Sequence, residues 1–298
     1  MMSSREPLFI SVIVPVYNAK ETLLNCLTAL TTQTYPPHCY EIIVVNNNST
    51  DTSMVIAKGF SNVRIFEEKS AQSSYAARNL GIREAKGELI AFTDADCVVD
   101  SHWLEQLAQS FGKDSSIGGV AGETKAYNPK TIIELYQQTR KHLWPKFLSN
   151  SHSSVISPTC NVMYKASVLE SVGCFNSTLI SGGDYDLAYR ILNKKSGKIV
   201  VNQEAIVFHK HRRGLKEFLK QYYRYGVGKR HLKEMGYERL RVESVFVYMV
   251  AGFFYSFLNT IRQITLCIIR RKKFYEIIFP WFEWLEGLAL RFGFLRGI

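Results

Sequence analysis

The sequence predicts an α/β fold, a mainly parallel sheet covered by helices. Two observations carry this. Four short apolar runs rich in β-branched residues fall within roughly the first 120 positions, and helix-like segments lie between them. A β–α–β–α order of this kind builds a parallel sheet, because each helix serves as the crossover to the next strand.

The elements follow in order. Residues 9–16 (FISVIVPV) read as a buried strand. Residues 21–30 place Leu23, Leu24, Leu27 and Leu30 at helical spacing. Residues 40–45 (YEIIVV) form a second strand. The polar NNNSTD that follows is a turn, with Ser49, Thr50 or Asp51 placed to cap the next helix. Residues 63–66 make a short third strand, 76–86 a helix stopped by Gly87, and 89–93 (LIAFT) a fourth strand.

Composition narrows the class. With 46% hydrophobic and 21% charged residues the 298-residue chain is globular, with room for one or two domains. Its 8 Pro and 19 Gly exclude collagen-like and low-complexity chains, and no repeat is visible. No apolar export signal precedes the first strand. The six cysteines form no CxxC pair and read as reduced, mostly buried thiols of a cytosolic protein. The net charge of +11 is unevenly spread: residues 1–200 carry 19 basic and 18 acidic side chains, residues 201–298 carry 18 and 8. Such a split points to an anionic partner for the last third, nucleic acid or membrane.

Ligands of open α/β sheets bind beyond the carboxyl ends of the strands. After the first strand the chain reads PVYNAKE, without glycine, so neither dinucleotide nor P-loop binding is supported. After the fourth comes Asp94-Ala95-Asp96. In extended backbone, residues i and i+2 face the same way, and two such carboxylates suit Mg²⁺ or Mn²⁺. A cation there would bridge the oxygens of a diphosphate and stabilise it as it leaves. The plain alternative is a solvated turn.

The stretches SVIVPVYN, EIIVVNNNSTD and AARNLGIREAKGELIAFTDADC, then NVMYKASVLESVGCF from Asn161 and GGDYDL from Gly182, closely resemble the family 2 glycosyltransferases of the GT-A fold, over residues 9 to about 235. The resemblance implies an inverting hexosyltransferase that moves a sugar from a nucleotide donor, by default a UDP-sugar, to an acceptor. It implies Asp184 as the base that deprotonates the acceptor hydroxyl, although Gly-Gly-Asp is also a good helix N-terminus. It assigns the metal to Asp94, Asp96 and His209, with Asp96 the firmer ligand. It places Pro15, Tyr17, Asn18, Asn46, Arg78 and Asp94 on the nucleotide side, and Asn161, Gly183, Gln221 and Arg224 on the acceptor or diphosphate side. Each has an ordinary reading as well: a phosphate-facing or solvated His209, a salt-bridged Arg78, a core Tyr17.

Two positions depart from the family pattern. Asn46 stands where Asp commonly receives the base ring N–H, and Gly183 where Glu commonly precedes the catalytic Asp. The first bears on donor base, the second on acceptor.

The basic third has two parts. Residues 209–241 hold 11 Lys or Arg and three Glu, and within them QYYRY (221–225) resembles the QxxRW motif of processive members. The alternative is a solvated basic helix at 215–235. Residues 244–261 then run 18 positions without a charge, of borderline length to cross a membrane. The basic run 270–273 follows, and 274–290 mixes Trp281, Phe282 and Trp284 with acids, as interfacial segments do. The alternative is a helical pair packed on the catalytic domain or in a dimer.

The expected organisation is a GT-A domain at 1–240 and a helical, membrane-associating segment at 241–298. The expected partners are a nucleotide-sugar donor, a glycan or lipid-linked acceptor and an anionic membrane surface, at the cytoplasmic face of the cell membrane. Oligomeric state is not predicted. Nucleic-acid binding has only net charge behind it and no motif. A catalytically silent scaffold would explain the acids missing at 46 and 183, but not the three aspartates that are present.

Overall fold

The computed structural model describes residues 6–140, 143, 145–147, 155–237, 244–269 and 273–296. In chain order the elements are β1 (Ile10–Val16), α1 (Leu23–Thr31), β2 (Tyr40–Asn46), α2 (Ser53–Lys58), β3 (Val63–Glu67), α3 (Ser74–Glu84), β4 (Leu89–Phe92), β5 (Cys97–Val99), α4 (Trp103–Phe111), β6 (Ile117–Ala126) and α5 (Ile132–Arg140). There follow β7 (Lys146–Phe147), β8 (Val155–Ile156), β9 (Val162–Lys165), α6 (Ala166–Val172), α7 (Gly183–Asn193), β10 (Lys198–His209), α8 (Leu215–Glu234), α9 (Val245–Ile268) and α10 (Phe279–Arg296).

Two compact units emerge. The first comprises Met1–Tyr127, Lys141–Thr178 and Gly183–Lys210, and the second Asn128–Arg140, Leu179–Gly182 and His211–Ile298. Helix α8 belongs with the second unit, because Phe218 and Tyr222 pack with Tyr136 and Phe282 in an aromatic core of their own. The expected boundary at 240/241, and residues 270–272 of the basic run, lie outside the described residues.

The first unit is built on an eight-stranded sheet of order β3-β2-β1-β4-β9-β6-β10-β5. Parallel pairs join β3, β2, β1 and β4, the predicted half. Strand β9 enters antiparallel to both β4 and β6, and β10 runs parallel to β6. Strands β1, β2, β4, β6 and β10 therefore point the same way and end on one edge. Strands β1, β2 and β4 are buried on both faces, which is why their sequences read as continuous apolar runs.

The sequence expectation that Gly87 stops a helix is corrected by the structure. Helix α3 ends at Glu84, and Gly87 passes so close to β1 that a Cβ there would lie 2.5 Å from Ser11 N. Asp51, not the helix N-cap itself, orders the start of α2 by accepting from the Ser53 N–H at 3.0 Å. All six cysteines are free. The apolar run at 244–261 continues past Arg262 as one 24-residue helix, α9. In the aromatic segment that follows it, Pro280, Phe282, Glu286 and Gly293 of α10 are buried, and Phe274 and Ile278 are exposed.

Candidate active site

The turn after β4 separates the two carboxylates that sequence spacing put side by side. Asp94, Ala95 and Asp96 are not extended. The Cys97 N–H donates back to the Asp94 carbonyl at 3.0 Å, closing a tight turn. The side chains then go to different partners.

Asp94 goes to Arg78. The Arg78 Nη2 donates to Asp94 Oδ1 at 2.5 Å, with the guanidinium 4% exposed. Helix α3 presents this arginine, and its first turn is fixed by Ser73, whose hydroxyl accepts from the Tyr75 N–H. The guanidinium lies 5.7 Å from the Tyr75 ring centre and 5.9 Å from that of Phe175. Asn79 holds Phe175 in place by a reciprocal pair, Nδ2 to the Phe175 carbonyl at 2.8 Å and the Phe175 N–H to Oδ1 at 3.0 Å. The buried Arg78 Nε has no hydrogen-bond partner among the described residues, so this cation keeps one donor for an anionic group.

Asp184 sits in the first turn of α7, coupled to the same pair. Burial is the largest influence on it and raises its carboxyl above the ordinary 3.8. The Tyr185 N–H, 3.1 Å from Oδ1, and Arg78 pull it back down, while Asp94 pushes it up. A carboxylate with a raised pKa is a better proton acceptor, as a general base requires.

Asp96 goes to β10. His209 ends that strand, with its Nε2 3.5 Å from Asp96 Oδ1. The backbone is tied beside it, the Lys210 N–H donating to the Asp96 carbonyl at 2.9 Å. Asp96, His209 and Cys97 offer ligand atoms within 4.8 Å of one another. Burial holds the Cys97 thiol well above its usual range, so it stays protonated and is no ligand for a hard cation. The carboxylate and imidazole together fit Mn²⁺ or Mg²⁺. Asp94 is not part of this cluster, because Arg78 engages it.

On the nucleoside side, Pro15 lies within β1, opposite Val45. Tyr17 is 56% exposed and free to meet a ring. Asn18 has a positive φ of 48°, and its Oδ1 accepts from the Thr50 N–H at 2.8 Å, which ties the β1 and β2 loops together. Asn46 is buried at the end of β2. Its Nδ2 donates to Glu67 at 2.9 Å and its Oδ1 accepts from the Ser49 N–H at 3.0 Å. An aspartate at 46 would face Glu67 charge to charge, which accounts for the amide here.

Two acceptor-side expectations change. Asn161 is 1% exposed: its Oδ1 accepts from Trp103 Nε1 at 2.8 Å, and its Nδ2 donates to the Glu123 and Ala205 carbonyls, each at 2.9 Å. It joins α4, β6 and β10 and has nothing left for an acceptor. Gly183 is buried too. Its N–H donates to the Tyr75 hydroxyl at 2.9 Å, and a Cβ would lie 2.6 Å from that ring. Tyr75 fills the space a glutamate would need. Sequence reasoning passed over Tyr75, although it stands three residues before Arg78, on the same face of α3. Gln221 and Arg224 lie on α8 in the second unit. Gln221 Nε2 donates to the Tyr225 hydroxyl at 2.7 Å, and Arg224 is exposed.

Comparison with known proteins gives the family and the fold. The family described as "Glycosyl transferase family 2" matches residues 11–173. The Glycosyltransferase AglE of Haloferax volcanii is 34% identical over 260 residues, covering 85% of this chain and 83% of that protein. A Methanococcus voltae protein is 23% identical over 314 residues, covering 97% of each, and is named as a dolichyl N-acetylglucosaminyl phosphate diacetamido-dideoxyglucuronosyltransferase. Among solved structures, the mannosyltransferase PcManGT of Pyrobaculum calidifontis, in complex with GDP-Man and Mn²⁺, shares the fold. Its TM-score is 0.57 at 20% identity, over 75% of this chain and 62% of that one. The strand order, the site at the carboxyl edge and these matches together place the chain in glycosyl transferase family 2, as a glycosyltransferase of GT-A fold.

Proposed function

We propose that the protein transfers a sugar, with inversion, from a nucleoside diphosphate sugar to a lipid-linked or envelope glycan at the cytoplasmic face of the cell membrane. The observation that carries the mechanism is the half-buried Asp184 carboxyl in the first turn of α7, raised in pKa by desolvation and facing Arg78 and Asp94. Asp184 removes the acceptor hydroxyl proton as the oxygen attacks the anomeric carbon from the face opposite the leaving group. Arg78 offers its unspent Nε–H to the diphosphate. Asp96 and His209 would hold a divalent cation, which supplies charge stabilisation for the departing diphosphate. Tyr17 stacks on the nucleoside base.

The lipid-linked acceptor is supported by the Methanococcus relative, whose name specifies a dolichyl N-acetylglucosaminyl phosphate. Membrane attachment is supported by α9, 24 residues long and apolar, with its large hydrophobic side chains mostly exposed. UDP is the default donor base. GDP-sugars belong in the test, because Asn46 is engaged with Glu67 and Ser49. The test is release of nucleoside diphosphate from a panel of UDP- and GDP-sugars with and without Mn²⁺, with Asp184→Asn alongside. Metal-dependent turnover of one donor, lost in the variant, is the expected outcome. No turnover and no calorimetric binding of any donor would overturn the reading.

A further inference from the structure

The second unit holds a cavity of about 250 Å³ in the crook of α5, α9 and the start of α10, walled by Arg140, Tyr255, Asn259, Arg262, Gln263 and Glu283 among others. We propose that this cavity receives the phosphate monoester headgroup of a membrane-embedded lipid, with the lipid chain lying along the apolar face of α9. The proposal rests on the membrane attachment proposed above.

Helix α9 is packed inside out. Its face toward α10 is small and polar: a Cβ on Gly252 would lie 2.7 Å from Trp284, and Ser256 Oγ donates to the Pro280 carbonyl at 3.0 Å. Its outer face is Phe246, Val250, Phe254, Phe257, Leu258 and Ile261, all exposed. A helix on a water-soluble protein shows the reverse. A seam of small residues with apolar side chains outside is the pattern of helices that face lipid.

The helix does not cross the bilayer. Helix α10 lies antiparallel to α9, with Gly287 at Tyr248 and Pro280 at Ser256. It runs parallel to α8, with Phe218 against Phe282, Gly226 against Leu290 and Arg230 Nη1 on the Leu295 carbonyl. The charged α8, which bears Lys216, Glu217, Lys220 and Arg224, is therefore at the depth of α9, and those charges exclude the hydrocarbon core. Helix α9 lies in the plane of the interface with its outer face in the acyl region.

The cavity then opens at headgroup level. Tyr255, Asn259 and Arg262 follow one another by four and three residues along its wall. The exposed Phe254, Leu258 and Ile261 form the adjacent stripe, a lane for a lipid chain. Arg140 is held by Glu283 at 2.9 Å and Glu286 at 3.0 Å. Arg262 has no ion pair among the described residues, and it is the cation available to an anion. The buried Gln263 Oε1 has no hydrogen-bond partner among the described residues. It is an acceptor suited to the P–OH of a monoester, which a diester lacks.

The test is cosedimentation of the full chain with phosphatidylcholine vesicles, alone or with an equal mole fraction of phosphatidylglycerol, phosphatidic acid or dolichyl phosphate. Wild type is expected to favour the two monoesters over the diester. Arg262→Gln is expected to lower monoester binding about tenfold and to abolish that preference, and Gln263→Leu to abolish the preference alone. Lys273→Gln, a control for charge, costs about fivefold on every anionic vesicle alike. Equal losses in Arg262→Gln and Lys273→Gln on all anionic vesicles, or no monoester preference in wild type, overturn the site. Failure of wild type to bind any vesicle sinks the membrane reading itself. Equal binding of phosphatidic acid and dolichyl phosphate assigns the site to monoester headgroups in general, and selective binding of dolichyl phosphate assigns it to a polyisoprenoid phosphate. Donor hydrolysis, unchanged in the variants, reports a folded catalytic unit.

Discussion

Asp184→Asn separates a catalytic base from a helix cap by the sign of its effect on stability. If Asp184 serves only the first turn of α7, removing its charge loses a favourable interaction with the helix N-terminus, about 0.3–1 kcal/mol. Its raised pKa says that desolvation outweighs that gain. The linkage follows. A carboxyl whose pKa is raised on folding leaves the protein at full stability below the ordinary 3.8, and stability is lost as pH rises through the folded value, so the whole deficit is present at neutral pH. Asparagine removes the deficit and still accepts from the Tyr185 N–H. The variant should thus melt at or above the wild-type temperature at pH 7, with the difference shrinking toward pH 4. Turnover should fall about 10²–10⁴-fold, which is about 2.7–5.4 kcal/mol on the barrier. The assays are scanning calorimetry over a pH series and nucleoside diphosphate release at saturating donor. A variant that keeps a tenth of the activity, or one that melts several degrees lower and loses activity only in proportion to its unfolded fraction, refutes the reasoning.

Other expectations can be checked with the same protein. Mn²⁺ should raise the melting temperature of wild type, and Asp96→Ala or His209→Ala should abolish that rise, because binding to the folded state alone is stabilising. An unchanged metal-induced shift in both variants would place the ion elsewhere. Asn161→Leu should cost about 3 kcal/mol or more, since Trp103 Nε1–H and two carbonyls lose their partner inside the core, and a denaturant midpoint equal to wild type would contradict it. Gly183→Ala should destabilise by about 1–3 kcal/mol through its clash with Tyr75, and the loss should shrink in the Tyr75→Ala background. Additive losses in that double variant would mean the two residues do not share the space.

Much of the fold was legible because β1, β2 and β4 are buried on both faces and leave unbroken apolar runs. Strand β9 was not, because its antiparallel entry between β4 and β6 is decided by pairing, which leaves no mark in four residues. At the site, Asp184 and His209 were singled out as motif positions, and the structure sets Asp184 beside the Arg78–Asp94 pair and His209 beside Asp96. The two carboxylates of Asp94-Ala95-Asp96 were misplaced, since period-2 alternation holds only in extended chain and the backbone turns at Asp94. Asn161 looked like a ligand residue because a buried amide that ties three elements has the same letter as one that meets substrate. The departures at 46 and 183 became intelligible only through Glu67 and Tyr75, neighbours distant in sequence.

The Asp96–His209 pair also binds together the weakest edge of the sheet. Strand β5 has three residues, and its ladder partner is β10, so its attachment depends on a short antiparallel pairing of Cys97–Val99 with Val207–His209. An ion shared by Asp96 and His209 would sit at the end of that pairing and act as a clasp on it. Ion occupancy and strand docking would then be one equilibrium: frayed protein loses metal, and metal-depleted protein frays. Slow amide exchange at residues 97–99 would be a readout of cation binding, available without any sugar donor.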